Sequence, residues 1–188
     1  RHSLDERVAA ASFPARQINS GLYRDNAGTG FGTAVHDVME HLPQGDELEQ
    51  VAATVASLYE LRASVVKDVV RVAASFAESA PYARSLEPDA RAQRELPVIG
   101  TVDGTAVNGF IDLLYRDTNS ATAGWVIADW KTDVTAKPET VTSYFLQLDI
   151  YATLLEEALG EPVTRLELIF AGVKEPQVVV YERGVDKR

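Results

Sequence analysis

Cysteine is absent from this 188-residue chain, and basic residues are too few to balance the acidic ones. Without cysteine, a disulfide framework, a cysteine-ligated zinc and a cysteine-ligated iron–sulfur cluster are all excluded. No apolar run approaches the roughly 20 residues that span a membrane. The 28 acidic residues outnumber the 18 basic ones and give a net charge of −10, whereas a general nucleic-acid binder is normally basic. Composition by itself therefore argues against such a binder.

The start of the chain also lacks two common features. Residues 1–10 contain no apolar stretch of the signal-peptide kind, and the chain does not begin with Met. We therefore expect a cytoplasmic protein and a piece of a longer chain. The 46% of hydrophobic and 24% of charged residues are typical of a globular domain of ordinary size.

Hydrophobic periodicity divides the chain into an arm and one α/β domain. Residues 1–30 have no sustained period and predict an irregular arm or linker, and residues 31–188 predict the domain. Apolar residues at helical spacing predict a helix over Phe31–Leu42, two helices or one bent helix over Glu47–Ser79 that Pro81 ends, and a helix over Pro138–Leu159. Alternating residues predict strands over Gln93–Val102, Thr105–Arg116, Trp125–Thr132, Val163–Ala171 and Gln177–Glu182. This order predicts a mixed central sheet with helices against it.

Turn geometry places three carboxylates side by side in this sheet. Asp103-Gly104 between two extended runs is a strong signal for a two-residue hairpin, which sets Glu95 opposite Asp112. If the next loop is symmetric about Ser120 and Ala121, Asp112 lies opposite Asp129. Directly opposite residues share a face with Cβ atoms about 5 Å apart. The three acids would then form a row across adjacent strands.

Like charges in such a row destabilise a sheet unless something neutralises them. A hard divalent cation would do so, because it takes oxygen ligands from converging strands. Lys131 would emerge on the same face as Asp129. The alternative is that Asp129 and Lys131 form an exposed ion pair at a strand end and that Asp112 is solvated.

Two helices add polar candidates to the row. His36 flanks the apolar stripe of the first helix, and Gly32 one turn earlier would allow close backbone approach, although a lone histidine of this kind is more often structural. The last helix carries Tyr144, Gln147 and Tyr151 on one face. A core stripe explains the tyrosines, but an amide in that stripe needs hydrogen-bonding partners.

Taken together, these residues resemble the PD-(D/E)XK nuclease motif, and in particular the RecB-like nuclease domains at the C-termini of UvrD/Rep-type helicases, as in RecBCD, AddAB and AdnAB. The resemblance covers roughly residues 30–182. Its motifs appear in order as Gly32-x-x-x-His36, Glu95, Gly109-Phe-Ile-Asp112, Asp129-Trp-Lys131-Thr132 and Gln147-Leu-x-x-Tyr151.

The resemblance implies a restriction-endonuclease-like fold and a metal-dependent DNA exonuclease that processes double-strand breaks in recombinational repair. It implies a catalytic set of Asp112, Asp129, Lys131 and Glu95. It implies metal ligands at His36, Asp112, Asp129 and the backbone carbonyl of Trp130. Substrate-positioning residues would be Gln147, Tyr151 and Thr132.

The cofactor implied is Mg²⁺, with Mn²⁺ also suited to a histidine ligand, and the lack of cysteine places the chain with relatives that have no iron–sulfur cluster. The partners implied are DNA, as a single strand fed by a helicase, the parent helicase chain and a second helicase-nuclease subunit, with no membrane. The alternative is a catalytically silent module that binds DNA or a partner; such a module would be expected to have lost Asp129, Lys131 or His36. The net negative charge then favours a domain that receives its DNA strand from a larger, basic complex.

Overall fold

The computed structural model describes residue 13 and residues 17–19, 29–41, 47–119, 123–172 and 174–184. Its helices are α1 (Thr29–His41), α2 (Glu47–Leu58), α3 (Ala63–Ala77), α4 (Ala80–Ser85) and α5 (Pro138–Leu159). Its strands are β1 (Ile18–Asn19), β2 (Gln93–Val102), β3 (Thr105–Asp117), β4 (Gly124–Lys131), β5 (Thr135–Ala136), β6 (Val163–Phe170) and β7 (Gln177–Glu182). None of the described helices combines the length and apolar composition needed to cross a bilayer.

Five strands form a mixed central sheet in the order β2-β3-β4-β6-β7. Neighbouring strands are antiparallel except β4 and β6, which are parallel because α5 carries the chain from one to the other. The predicted α/β class, with a mixed sheet flanked by helices, is confirmed.

The β2–β3 hairpin has the predicted two-residue turn. Asp103 and Gly104 both have positive φ, at 50° and 83°, which is the conformation of a tight hairpin turn whose twist matches the strands. Arg94 pairs with Leu113 and Leu96 with Ile111, so Glu95 lies opposite Asp112 as predicted. Glu95 itself has a φ of 45° and interrupts the ladder at this point.

The β3–β4 register also follows the prediction, although the turn residues Ser120 and Ala121 lie outside the described part. Leu113 pairs with Ala128, and this is the last pair before the two strands separate. Asp112 and Asp129 are the next residues on each strand. They therefore face each other where the sheet opens.

Two hydrophobic cores cover opposite faces of the sheet. Helices α1 to α4 bury one face, where Phe76 stacks on Trp130 with ring centroids 5.3 Å apart. Helix α5 buries the other face through residues such as Phe145, Leu148 and Ala152. Gly160 ends α5 in the left-handed conformation, with a φ of 68°, as a helix C-cap commonly requires.

Several predicted boundaries differ from the structure. The segment predicted over Glu47–Ser79 is two helices separated by a turn at Glu60, whose φ is 54°. Pro81 does not end this region, because it occupies the first turn of α4, where a missing N–H costs nothing, and Ser79 caps that helix. Strands β3 and β6 differ from the prediction by one residue at one end and β4 by one residue at both ends, and the two-residue strands β1 and β5 were not predicted.

The proposed arm over residues 1–30 is only partly described. Phe13 packs against Phe145 and Tyr181. Further along the chain, β1 pairs antiparallel with β5. Helix α1 begins at Thr29, two residues before its predicted start, and its predicted end at Leu42 falls outside the described residues. The division at residue 30 stays a prediction.

Candidate metal-dependent nuclease site

Helix α1 brings His36 to the point where the sheet opens. Its Nδ1 lies 3.4 Å from Oδ1 of Asp112. Gly32, one turn earlier, lies close to Thr132, since a Cβ at Gly32 would be 3.3 Å from Oγ1 of Thr132. The Gly-x-x-x-His spacing thus places a small residue at a close contact between α1 and Thr132.

His36, Glu95 and Asp112 form a compact cluster. One ligand atom from each lies within 4.8 Å of the other two. Asp112 is 7% exposed, and its Oδ2 accepts a hydrogen bond of 2.8 Å from the backbone N–H of Trp130. That bond fixes the carboxylate across the gap between β3 and β4.

Asp129 and Lys131 lie beside this cluster as an ion pair. Nζ of Lys131 is 2.6 Å from Oδ2 of Asp129, and it lies 3.9 Å from the ring centroid of Tyr144 on α5. The Tyr144 hydroxyl donates to Oδ2 of Asp133 at 2.9 Å. The ammonium is thus held between a carboxylate and an aromatic face.

The raised pKa values of three residues reflect the negative charge of the site. Burial alone lowers the pKa of His36, but the hydrogen bond and charge of Asp112, with the charges of Asp129 and Glu95, raise that pKa to about 9. Burial, and then the charge of Asp112, raise the pKa of Glu95 to about 7. The same two causes raise the pKa of Asp129. The site attracts cations.

These residues fit a divalent cation. Two carboxylates and an imidazole already converge, and all three are suitable ligand types. Oδ2 of Asp129 is buried and, among the described residues, accepts no hydrogen bond of good geometry; its contact with Lys131 is an ion pair. The Lys131 ammonium offsets the charge of one carboxylate, and the neighbouring carboxylates of Glu95 and Asp112 are left for a divalent cation to stabilise.

The other predicted site residues, on β4, after β4 and on α5, make contacts of different kinds. The indole of Trp130 is buried in the helical core, so only its backbone faces the site. Thr132 contacts α1 at Gly32. On α5, Nε2 of Gln147 donates to the Tyr151 hydroxyl at 2.9 Å. That hydroxyl lies against the bare backbone of Gly109, where an added Cβ would be 1.9 Å away.

Glu95 stands closer to the centre of the site than the resemblance implied. It joins His36 and Asp112 as a ligand-type group, whereas Asp129 contacts Lys131. Tyr144, interpreted from sequence as a core residue, contacts Lys131 directly. The signal available in the sequence was the ammonium of Lys131, which needs a partner on the neighbouring helix when it is buried.

A second polar cluster was not predicted at all. Glu167 is fully buried on β6 and is bonded by Arg84, Arg165 and Tyr115. Arg165 also binds Asp117. Two arginines balance two acids here, so this cluster is neutral and fully bonded, unlike the site. Its signal in the sequence was the alternation Arg165, Glu167 within a buried strand.

A family model described as the PD-(D/E)XK nuclease superfamily matches residues 15–187. The chain belongs to this superfamily. The match covers almost the whole sequence and includes every residue of the cluster, and the mixed sheet flanked by helices agrees with the restriction-endonuclease-like fold.

This PD-(D/E)XK domain is similar to the A subunits of ATP-dependent helicase/nucleases from two bacteria. It is 34% identical over 154 residues to the protein of Lysinibacillus sphaericus (strain C3-41), covering 70% of this chain and 12% of that protein. It is 28% identical over 189 residues to that of Streptococcus sanguinis (strain SK36), covering 94% of this chain and 15% of that protein. The chain spans about an eighth of the length of these curated relatives.

Among solved structures, the crystal structure of SSO0001 is similar with a TM-score of 0.41 and 13% identity, over 97% of this chain and 75% of that one. This similarity is too low to carry an argument about function.

Proposed function

We propose that this PD-(D/E)XK domain is a Mg²⁺-dependent deoxyribonuclease that hydrolyses phosphodiester bonds. One observation carries the proposal: His36, Glu95 and Asp112 converge within 4.8 Å beside the Asp129–Lys131 ion pair. A structural strand end does not need a partly buried, negatively charged cluster next to a largely buried ammonium. A metal-dependent phosphodiesterase can use both, the carboxylates to hold the metal and the ammonium to stabilise charge on the phosphate.

The metal would be held by His36, Asp112, Asp129 and the backbone carbonyl of Trp130, with Glu95 as a further carboxylate at the same point. A bound Mg²⁺ or Mn²⁺ supplies a Lewis acid for hydrolysis of the phosphate ester. The hydrogen bond from Trp130 N–H leaves Oδ1 of Asp112 directed towards His36.

Lys131 would orient the attacking water or stabilise the negative charge that develops on the phosphate. Burial lowers the pKa of Lys131, but the charge and hydrogen bond of Asp129, together with the charge of Asp112, outweigh burial and raise that pKa, so Lys131 is present as an ammonium that donates hydrogen bonds. Thr132, Gln147 and Tyr151 would position the strand. Gln147 is exposed on α5 and is available for such a contact.

The relatives support a proposal for the substrate and the setting. Both belong to helicase/nucleases, and we propose that this domain acts as an exonuclease on a DNA strand that a helicase delivers, in the processing of double-strand breaks. A parent helicase chain and a second helicase-nuclease subunit would be its partners. The net charge of −10 agrees with delivery by a partner, because such a domain grips DNA poorly on its own.

The test is cleavage of labelled linear single-stranded DNA with Mg²⁺, Mn²⁺ or EDTA. Asp129→Ala and Lys131→Ala are expected to lower the rate at least a hundredfold while the circular dichroism spectrum is retained. The matched controls are Glu49→Ala and Lys67→Ala, which change exposed residues on α2 and α3 outside the cluster and are expected to retain wild-type activity. Wild-type cleavage by either site variant would refute the assignment.

Circular single-stranded DNA separates the finer proposals. An exonuclease needs an end, so the linear strand is expected to be degraded and the circle to survive. Degradation of the circle at the same rate would show an endonuclease. DNA binding without cleavage in any metal would indicate a silent module.

A further inference from the structure

The β2–β3 hairpin has one face that no described element covers. Towards α5 it is packed closely: Leu154 lies against Gly100, and Tyr151 lies against Gly109. The opposite face is exposed and includes two large apolar side chains, Ile99 at 79% and Phe110 at 56% exposure. We name it the hairpin face; it consists of Pro97, Ile99, Thr101, Ala106, Asn108 and Phe110.

This hairpin face is continuous with the acidic cluster. Phe110 precedes Asp112 by two residues on β3, and Pro97, its cross-strand partner, follows Glu95 by two residues on β2. Two residues of a strand span about 7 Å. Ile111, between them, is buried towards α5, so Phe110 and Asp112 both point away from that helix. A polymer that passes the cluster along the hairpin meets Phe110 first.

The chemistry of the hairpin face is unusual for so acidic a protein. Its six residues carry no charge, and the acid between them, Asp103, lies at the turn. Phosphates approaching along this face would therefore meet no carboxylate until the cluster. Its lack of lysine and arginine argues against a duplex held by its backbone, since phosphate contacts supply that binding. An exposed aromatic ring with apolar neighbours suits the flat faces of unpaired bases.

We propose that the hairpin face is a stacking platform for the unpaired bases of a single DNA strand, with Phe110 stacking on a base next to the scissile phosphate. This inference rests on the proposed nuclease function for the position of that phosphate. The inference adds a DNA-binding surface to the proposed nuclease site, with Phe110 as a strand-positioning residue.

Binding is measured by fluorescence anisotropy in EDTA with a labelled single-stranded oligonucleotide, and the same oligonucleotide is used for cleavage with Mg²⁺. Phe110→Ala is expected to weaken binding about tenfold, in line with the loss of one base–aromatic stack, and to raise KM with little change in kcat. Phe110→Trp is expected to retain wild-type affinity, and Phe110→Leu to bind like the alanine variant, because stacking requires a ring.

A set of oligonucleotides with one abasic position each identifies the stacked base. In the wild type, one abasic position near the cleavage point is expected to weaken binding as much as Phe110→Ala does. The Phe110→Ala variant is expected to be insensitive to that position, since the two changes remove the same contact. Val180→Ala is the matched control, because Val180 is an exposed apolar residue, at 41%, on β7 at the other edge of the sheet.

The outcomes separate the two proposals. The platform would be overturned if Phe110→Ala bound the oligonucleotide as tightly as wild type, or if Val180→Ala weakened binding equally. It would also be overturned if every abasic position had the same effect on Phe110→Ala as on wild type. These outcomes do not depend on whether the protein cleaves DNA. A change in oligomeric state on Phe110→Ala would also overturn it and assign the face to contact between copies. If the abasic pattern holds but no metal supports cleavage, the platform stands and the nuclease proposal fails.

Discussion

At the scale of single residues, the position of Lys131 depends on more than its acidic partner. The ammonium lies 2.6 Å from Asp129 and 3.9 Å from the ring centroid of Tyr144. A cation over an aromatic face gains about 0.5 to 2 kcal/mol, with the larger value when water is excluded. Lys131 has a side chain only 15% exposed, so the ring is expected to hold the ammonium where the charge on a phosphate develops.

Tyr144→Leu is therefore expected to lower kcat for DNA cleavage about tenfold and to leave KM unchanged, because the lysine loses its orientation while strand contacts remain. Tyr144→Phe retains the ring and loses only the hydrogen bond to Asp133, so its kcat is expected to stay within about threefold of wild type, a smaller loss than removing the cation–π contact. Steady-state kinetics on an oligonucleotide measures both. An equal loss in the two variants would show that the hydroxyl, and not the ring, matters.

At the scale of elements, the strands of the central sheet and the register of β2 with β3 were predictable because they rest on local rules. Period-two alternation and the Asp103-Gly104 turn fix the β2–β3 pairing, and Pro138 and Gly160 bound α5. Helix α4 was not predictable in the same way, since six residues hold too few apolar positions to show a period. The pair β1–β5 depends on the docking of residues distant in sequence, which no local pattern encodes.

The contact of α5 with the hairpin depends on a missing side chain. A Cβ at Gly109 would lie 1.9 Å from the Tyr151 hydroxyl, so the phenol ring and the strand could not both keep their places. Gly109→Ala is expected to lower the free energy of unfolding by about 3 kcal/mol, at the upper end of overpacking costs. Denaturant unfolding measures the change.

Gly184→Ala is the matched control for this prediction. Among the described residues, no atom beyond the chain neighbours lies within 4 Å of a Cβ added at Gly184, so that variant is expected to differ from wild type by less than about 1 kcal/mol. Adding Tyr151→Ala to Gly109→Ala relieves the collision, and the double variant is expected to be more stable than the sum of the single effects allows. Strict additivity would contradict the contact.

At the scale of the whole molecule, the candidate site was partly predictable. The row of Glu95, Asp112 and Asp129 follows from strand pairing, but its meeting with His36 depends on the docking of α1, and the sequence could supply that only through the family resemblance. The backbone distortion at Glu95, whose φ is 45°, was not predictable from the residue types. The distribution of charge is likewise a property of the fold, since acids far apart in sequence share one small volume.

That concentration of charge predicts how the protein responds to metal. Repulsion among the cluster opposes folding, and a cation that binds only the folded state offsets it; at a hundred times its dissociation constant, a bound ion adds about 2.7 kcal/mol to the free energy of unfolding. Adding Mg²⁺ or Mn²⁺ to protein treated with EDTA is therefore expected to raise Tm by several degrees, as measured by differential scanning calorimetry. Asp112→Asn and His36→Ala are expected to lose most of this rise because each removes a ligand, whereas Glu49→Gln, which neutralises an exposed acid on α2, is expected to retain it. An equal rise in all four proteins would mean that the cations screen the overall charge of −10 and do not occupy the cluster.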